Sequence, residues 1–296
     1  MNKLKWISLV LVTTFLMGSS FTVGKLGLAY SSPLLLAAYR FILAGSILAI
    51  LVRVLRRAHP AAKEGWVKML MIGVFQTAGV MGCIFLSLRS ITASESSILT
   101  FTNPLLVVVL GSFLFKARYK LYQWGGVLLG LTGVVITQGT HLKFEVGTLF
   151  GILSALLWAA STLLVKKWGT NFDTWVLSAY QMLFGGLLLL AASFLLEHPF
   201  FHPNTHSLSI LLWLSVMSSI VQFAGWYYLL QNTDPGKTSA YLFLAPFFGV
   251  LTGCILLNDP LFPSFIVGGF FILTGIYLVN RNFQPSKAKR KLFITH

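Results

Sequence analysis

The sequence predicts an all-α polytopic membrane protein, with ten transmembrane helices arranged as two inverted five-helix repeats. Three observations predict it. Only 10% of the 296 residues are charged, while 56% are apolar and the mean hydropathy is +0.81. Apolar stretches recur at bilayer length, roughly 20 residues each. Matching residues recur between the two halves at a near-constant spacing. A soluble domain carries about 25% charged residues. So little charge cannot coat a globule of this size, which excludes a water-soluble enzyme. A disordered chain is excluded as well, because disorder requires low hydrophobicity.

The apolar stretches fall at about 6–24, 33–52, 67–88, 94–115, 121–138, 147–166, 174–196, 208–231, 237–257 and 263–280, each bounded by charge, Pro, Asn or Gly. In lipid only helices and closed barrels satisfy the backbone. These runs are too long and too uniformly apolar for barrel strands, which alternate over about 10 residues. The first span follows Lys3 and Lys5 and imitates a signal peptide. It is long, lacks an Ala-x-Ala site and leads into further spans, so it reads as retained. No connection is long enough for a soluble domain.

Orientation follows from the basic residues. Of the 22 Lys and Arg, Arg40 lies within a span and three (Lys25, Arg89 and Lys143) lie on one side. The other eighteen lie on the side of the N-terminus. The positive-inside rule then places both termini in the cytoplasm of a multi-pass cell-membrane protein. The net charge of +15 is thereby read as cationic loops, with no nucleic acid as partner. Cys83 and Cys254 both sit in apolar runs and suggest neither a disulfide framework nor a zinc site.

A shift of 141 lays Phe15–Ser20 over Leu156–Ser161, Lys25 over Lys166, Arg40 over Gln181 and Gly45 over Gly186. A shift of 146 lays Gln76 and Gly79 over Gln222 and Gly225. A shift of 142 lays Pro104 over Pro246 and Leu131-Thr132-Gly133 over Leu273-Thr274-Gly275. Five spans is an odd number, so the second copy enters the membrane from the opposite side. Inverted repeats supply a route to alternating access, because the inward-open and outward-open states become near mirror images of one packing. The expected division is 1–140 for the first repeat, 141–283 for the second and 284–296 for a basic cytoplasmic tail.

With these residues in place, the chain resembles the drug/metabolite transporter superfamily, in its ten-span EamA-type group. The resemblance covers nearly the whole chain, twice over. It rests on Arg40 in the second span, Pro104 and Pro246 in the fourth and ninth, and a pattern of an acid, then Gln, then glycines in the last span of each half. The second half reads Asp259-Pro260-Leu261, Gly268 and Gly275. The first has Gln123, Gly126 and Gly133, but Ala117 stands where the acid is expected. The resemblance implies a central cavity between the halves and transport, often outward, of small metabolites such as amino acids.

Polar groups at bilayer depth are the candidates for contact with solute. A central Arg costs about 2.5–3.5 kcal/mol on insertion scales. Arg40 is thus either a cation for an anionic solute or a structural Arg bonded to carbonyls. Tyr39, Gln76, Trp158, Tyr180, Gln181, Gln222 and Trp226 complete the expected substrate-binding set. Thr13, Met17 and Ser20, like Ser154, Trp158 and Ser161, fall on one helical face each. Asn103-Pro104 and Pro246 interrupt helices at mid-bilayer and are the expected hinges. Glu95 is the one carboxylate plausibly inside a span. It is a candidate for proton coupling, although Thr92-Ala93-Ser94-Glu95 also has capping-box spacing. His198, His202 and His206 sit among prolines that spoil a metal-binding helix, so no metal is expected. No cofactor motif is present, and the protein is read as a non-enzyme, monomeric or homodimeric. Two alternatives remain open: a flippase for a lipid-linked carrier, or a polytopic membrane enzyme, although no cluster of acids or histidines supports the latter.

Overall fold

The structure, a computed structural model, describes residues 3–91, 93–115, 120–138, 145–257 and 264–280. The first half contains α1 (Lys3–Gly27), α2 (Pro33–Val54), α3 (Lys63–Ser90), α4 (Ala93–Thr100), α5 (Asn103–Phe115) and α6 (Leu121–Gln138). The second contains α7 (Val146–Trp168), α8 (Thr174–Leu196), α9 (Thr205–Asn232), α10 (Pro235–Ala240), α11 (Leu244–Leu257) and α12 (Ser264–Asn280). No strand occurs among the described residues, so the chain is an all-α polytopic membrane protein. Its polarity is that of a protein in lipid. Large apolar side chains such as Phe113, Leu195 and Phe270 point outward, while Arg40, Gln76, Gln181 and many hydroxyls lie inside.

Among the described residues, seven helical stretches are long and apolar enough to cross a membrane. The ten-span expectation is not met by length at the other three places, where shorter apolar helices stand: Asn103–Phe113, Leu121–Ile136 and Ile266–Val279. The fourth expected span, 94–115, is broken by a turn at Phe101–Thr102, between α4 and α5. Pro104 has no N–H to give the preceding turn, and the residue before a proline is pushed out of helical geometry. The corresponding stretch of the second half is a 3-10 turn, Tyr241–Phe243, ahead of α11 and Pro246.

Local signals set the ends. Pro33 opens α2, where its missing N–H costs nothing. The Glu197 carboxylate accepts from the backbone N–H of Leu34 (3.2 Å) and Leu35 (3.0 Å), so the second half caps a helix of the first. Asp173 caps α8 by accepting from Trp175 N–H at 2.9 Å, and Asn204 caps α9 by accepting from Ser207 N–H at 2.8 Å. Lys25 donates to Leu88 O (2.6 Å) and Ile91 O (3.4 Å) at the end of α3. Its repeat partner Lys166 donates to Thr233 O (2.7 Å) at the end of α9. Each lysine ties two helices of its own half.

The repeat shows itself in reciprocal contacts. A Cβ on Gly45 would lie 2.6 Å from Leu183 N, and one on Gly186 would lie 2.8 Å from Ile42 N. A Cβ on Gly126 would lie 2.8 Å from Gly275 O, and one on Gly133 would lie 2.7 Å from Gly268 O. Equivalent helices therefore meet on equivalent residues, which is the signature of a two-fold relation. As numbers rise along α2 they fall along α8, and the same holds for α6 against α12. The paired copies run antiparallel, as inverted repeats must. α1 also packs on α11, and α5 on α7, so each half embraces the other.

A candidate solute site between the two halves

Arg40 lies seven residues into α2 and is 1% exposed. Its Nε donates to Ser219 Oγ at 2.7 Å, and one terminal nitrogen donates to Ser20 Oγ at 2.9 Å. The other donates to Ser218 O at 2.6 Å and Ser218 Oγ at 3.2 Å. The guanidinium carbon lies 4.7 Å from the Phe41 ring centroid. One side chain thus joins α1, α2 and α9. Among the described residues no Asp or Glu pairs with it. Its partners are neutral, so among the described residues nothing compensates its charge.

The receiving segment of α9 is a π-helical stretch, Val216–Val221. There Gln222 N–H reaches back to Met217 O, which leaves Ser218 O to accept from Arg40. Such bulges free a carbonyl and recur at functional sites. α3 carries the matching stretch, Gly73–Met81. Within it Thr77 donates to Gln181 Oε1 at 2.6 Å, and Gln76 Oε1 accepts from Ser161 at 2.8 Å. The third helices of the two halves, Lys63–Ser90 and Thr205–Asn232, match at a shift of 142 and not at the 146 expected from Gln76 and Gln222, so Ser219 corresponds to Thr77, Arg40 to Gln181, and the two bonds are repeat copies of each other. Each crosses from one half to the other.

Between α1, α2, α3, α7 and α9 lies a cavity of about 20 Å³, lined by Met17, Ser20, Arg40, Phe85, Trp158 and Gln222 among others. Roughly 10–15 Å³ of such space holds one water. A metabolite fits only if the halves move. The Trp158 ring packs on Phe101 at 5.8 Å, and its indole N–H has no partner.

Three of the eight expected contact residues, Arg40, Trp158 and Gln222, therefore share one cavity. Gln76 and Gln181 do not line it and are held in bonds between helices. Trp226 is buried next to Tyr227, its indole N–H also unpaired. Tyr39 stands away from the cavity, half exposed against Phe201 with ring centroids at 5.5 Å. Tyr180 lies at the end of α2 remote from Pro33, in a second cavity with His59 and Trp66. Asn103 is buried with both its side-chain polar atoms unpaired, at the start of α5, and Pro246 lies within α11. The Glu95 side chain, Ala117, Lys143, Asp259–Leu261 and the tail 284–296 lie outside the described residues. Sequence reasoning missed Ser218 and Ser219, although a Ser-Ser pair inside an apolar run was the available signal. Among the described residues no group of three His, Cys, Asp or Glu converges on a metal position.

The profile of the EamA-like transporter family matches residues 4–138 and again 145–281. The chain belongs to the EamA-like transporter family. Relatives span its length. An uncharacterized transporter of Archaeoglobus fulgidus is 32% identical over 282 residues, covering 91% of this chain and 95% of its own. The uncharacterized transporter YvbV of Bacillus subtilis is 28% identical, covering 92% and 90%. A Salmonella typhimurium protein named "Probable amino-acid metabolite efflux pump" is 24% identical, covering 95% and 97%. A solved crystal structure shares the fold with TM-score 0.76 at 20% identity, over 93% of this chain and 96% of that one. This EamA-like chain matches most of the length of each of these proteins, and its two family matches fall on the two antiparallel halves.

Proposed function

We propose that this protein exports amino acids or related carboxylate-bearing metabolites across the cytoplasmic membrane by alternating access, without chemical conversion, and with both termini in the cytoplasm. The observation that carries the reading is the Arg40 guanidinium, whose charge nothing among the described residues compensates, on a cavity between two inverted halves. A fixed cation in low dielectric attracts an anionic group strongly. The unpaired Trp158 N–H offers a second donor to the same group. Ser20, Ser218 and Ser219 hold the guanidinium in the absence of solute. A carboxylate that displaces one hydroxyl forms a charge-assisted bond, roughly twice as strong as a neutral one. The name of the Salmonella relative points the same way.

Movement follows from the same geometry. Lys25 and Lys166 tie helices within a half, while Arg40–Ser219 and Gln181–Thr77 tie one half to the other. Rocking of the halves breaks the second kind and spares the first. The irregular stretches before Asn103-Pro104 and Pro246 serve as the bending points, and Glu95 is the candidate for coupling to protons.

The test is counterflow in proteoliposomes against a panel of amino acids, quaternary amines and nucleosides, with and without a pH gradient. Saturable flux of a carboxylate solute is expected, lost in Arg40→Gln. Unchanged flux of the transported solute in that variant refutes the role of Arg40. A pH-gradient dependence that survives Glu95→Gln removes Glu95 from coupling.

A further inference from the structure

The second cavity, about 520 Å³ and open to the exterior, is lined by Arg53, Arg56, Arg57, His59, Trp66 and Tyr180. It lies where α2 ends and α3 and α8 begin. Its aromatic wall is built. His59 Nδ1–H donates to Arg57 O at 2.7 Å, which leaves Nε2 to accept from Tyr180 Oη at 3.2 Å. Trp66 stands edge-on to Tyr180 at 4.7 Å, and His59 meets Tyr180 at 5.5 Å. Its charge is one-sided. Arg57 reaches Asp173 at 3.5 Å, but Arg53 and Arg56 pair with no acid among the described residues.

The backbone adds an independent observation. Arg57 N–H donates to Val52 O (2.9 Å) and Arg56 N–H to Arg53 O (3.0 Å). This is a Schellman closure of α2, with Arg56 at the position that turns left-handed, φ 49°. Glycine is the ordinary residue there because it has no Cβ to clash. Arg56 is the only non-glycine residue with positive φ among those described. Complementing the helix dipole does not require it, since Arg53 and Arg57 already lie at this end. The strain is accounted for if the Arg56 side chain is needed in the groove. One turn back along α2, Ile50 and Val54 are exposed (64% and 72%), as befits a lipid-facing surface that leads to the groove.

We propose that this groove binds the phosphate of an anionic phospholipid head group, held by Arg53 and Arg56 against the Trp66–Tyr180 wall. Guanidinium forks match phosphate oxygens bidentately, and amphipathic aromatic rings favour head-group depth. Tyr180 then belongs to a lipid site, and the inference stands whether or not the cavity at Arg40 carries solute.

The test uses the full chain in detergent, with short-chain phosphatidylglycerol and phosphatidylcholine titrated against binding and melting temperature. The wild type should favour phosphatidylglycerol by about tenfold or more, the order expected for two arginines near a phosphate. R53Q/R56G should lose that preference. R56G alone should bind several-fold more weakly yet melt no lower, because glycine relieves the left-handed backbone; this variant keeps the test valid if the double one fails to fold. A purely capping role for Arg56 does not separate binding from stability in this way. Equal affinity for the two lipids, or an unchanged preference in R56G, overturns the proposal. Inorganic phosphate that displaces the lipid at equal concentration also overturns it, in favour of a soluble phosphate. Failure to displace supports the lipid.

Discussion

At the scale of single residues, Arg40 and Trp158 make separable contributions. Arg40→Lys keeps the charge but removes the fork that spans Ser20, Ser218 and Ser219. Flux should fall at least about tenfold, since more than one charge-assisted bond of roughly 1.5–3 kcal/mol is lost. Trp158→Phe keeps most of the ring against Phe101 and removes only the unpaired indole N–H. It should raise the half-saturation concentration for a carboxylate solute about fivefold with the melting temperature unchanged, as loss of about 1 kcal/mol from a hydrogen bond to solute predicts. An unshifted half-saturation concentration in liposomes would show that the N–H does not meet solute. Part of the candidate cavity is legible in the sequence, because a charge or amide inside an apolar run needs a reason. Arg40 and Gln222 stand out that way, and Trp158 by its place at the centre of a span. Ser218 and Ser219 do not, because their role depends on a π stretch that hydropathy does not encode. In the sequence Arg53, Arg56 and Arg57 are only loop cations that set orientation; the left-handed turn at Arg56 and the wall at Trp66 set them around a cavity.

At the scale of elements, glycine spacing decides how closely the repeat partners approach. Gly133 faces Gly268 O, and Gly275 faces Gly126 O, at distances where any Cβ forces α6 and α12 apart. Gly133→Val and Gly275→Val should each destabilise by about 1–3 kcal/mol through overpacking. Gly125, on the same helix as Gly126, has nothing within 4 Å of a built Cβ. Gly125→Ala should be neutral or stabilising, because alanine gains up to about 1 kcal/mol over glycine in a helix. Thermal melts in detergent should therefore separate these neighbours; equal losses at Gly125 and Gly133 would mean that close packing is not what the glycines provide. The elements themselves were readable from apolar length, since lipid leaves the backbone few options. The break at Phe101–Thr102 is signalled by Asn103-Pro104, which the sequence reading takes as an interruption within one span, 94–115, and not as the boundary of two shorter helices. Hydropathy registers depth in lipid and is blind to a missing donor in one turn.

At the scale of the whole molecule, the antiparallel pairing of α2 with α8 and of α6 with α12 makes the two ends of the bundle near copies. The inter-half bonds obey the same relation. Arg40–Ser219 lies toward the end where α2 begins, and Gln181–Thr77 toward the end where α8 begins. If the halves rock as rigid bodies, loosening one bond should favour opening at its own end. Ser219→Ala removes an acceptor of Arg40, and Thr77→Val removes the donor to Gln181 while preserving shape. With Cys83 and Cys254 replaced by alanine and a reporter thiol at Met81→Cys on the cavity wall, labelling by an impermeant maleimide reads the opening from either side. Ser219→Ala should raise labelling from the side of Pro33, and Thr77→Val from the side of Arg56. A symmetric packing keeps the two states within a few kcal/mol of each other. Losing one hydrogen bond, worth about 1 kcal/mol, is then enough to shift their ratio about fivefold. Shifts toward the same side in both variants would contradict rigid rocking, because two bonds related by the internal two-fold cannot bias a symmetric pair of states in one direction.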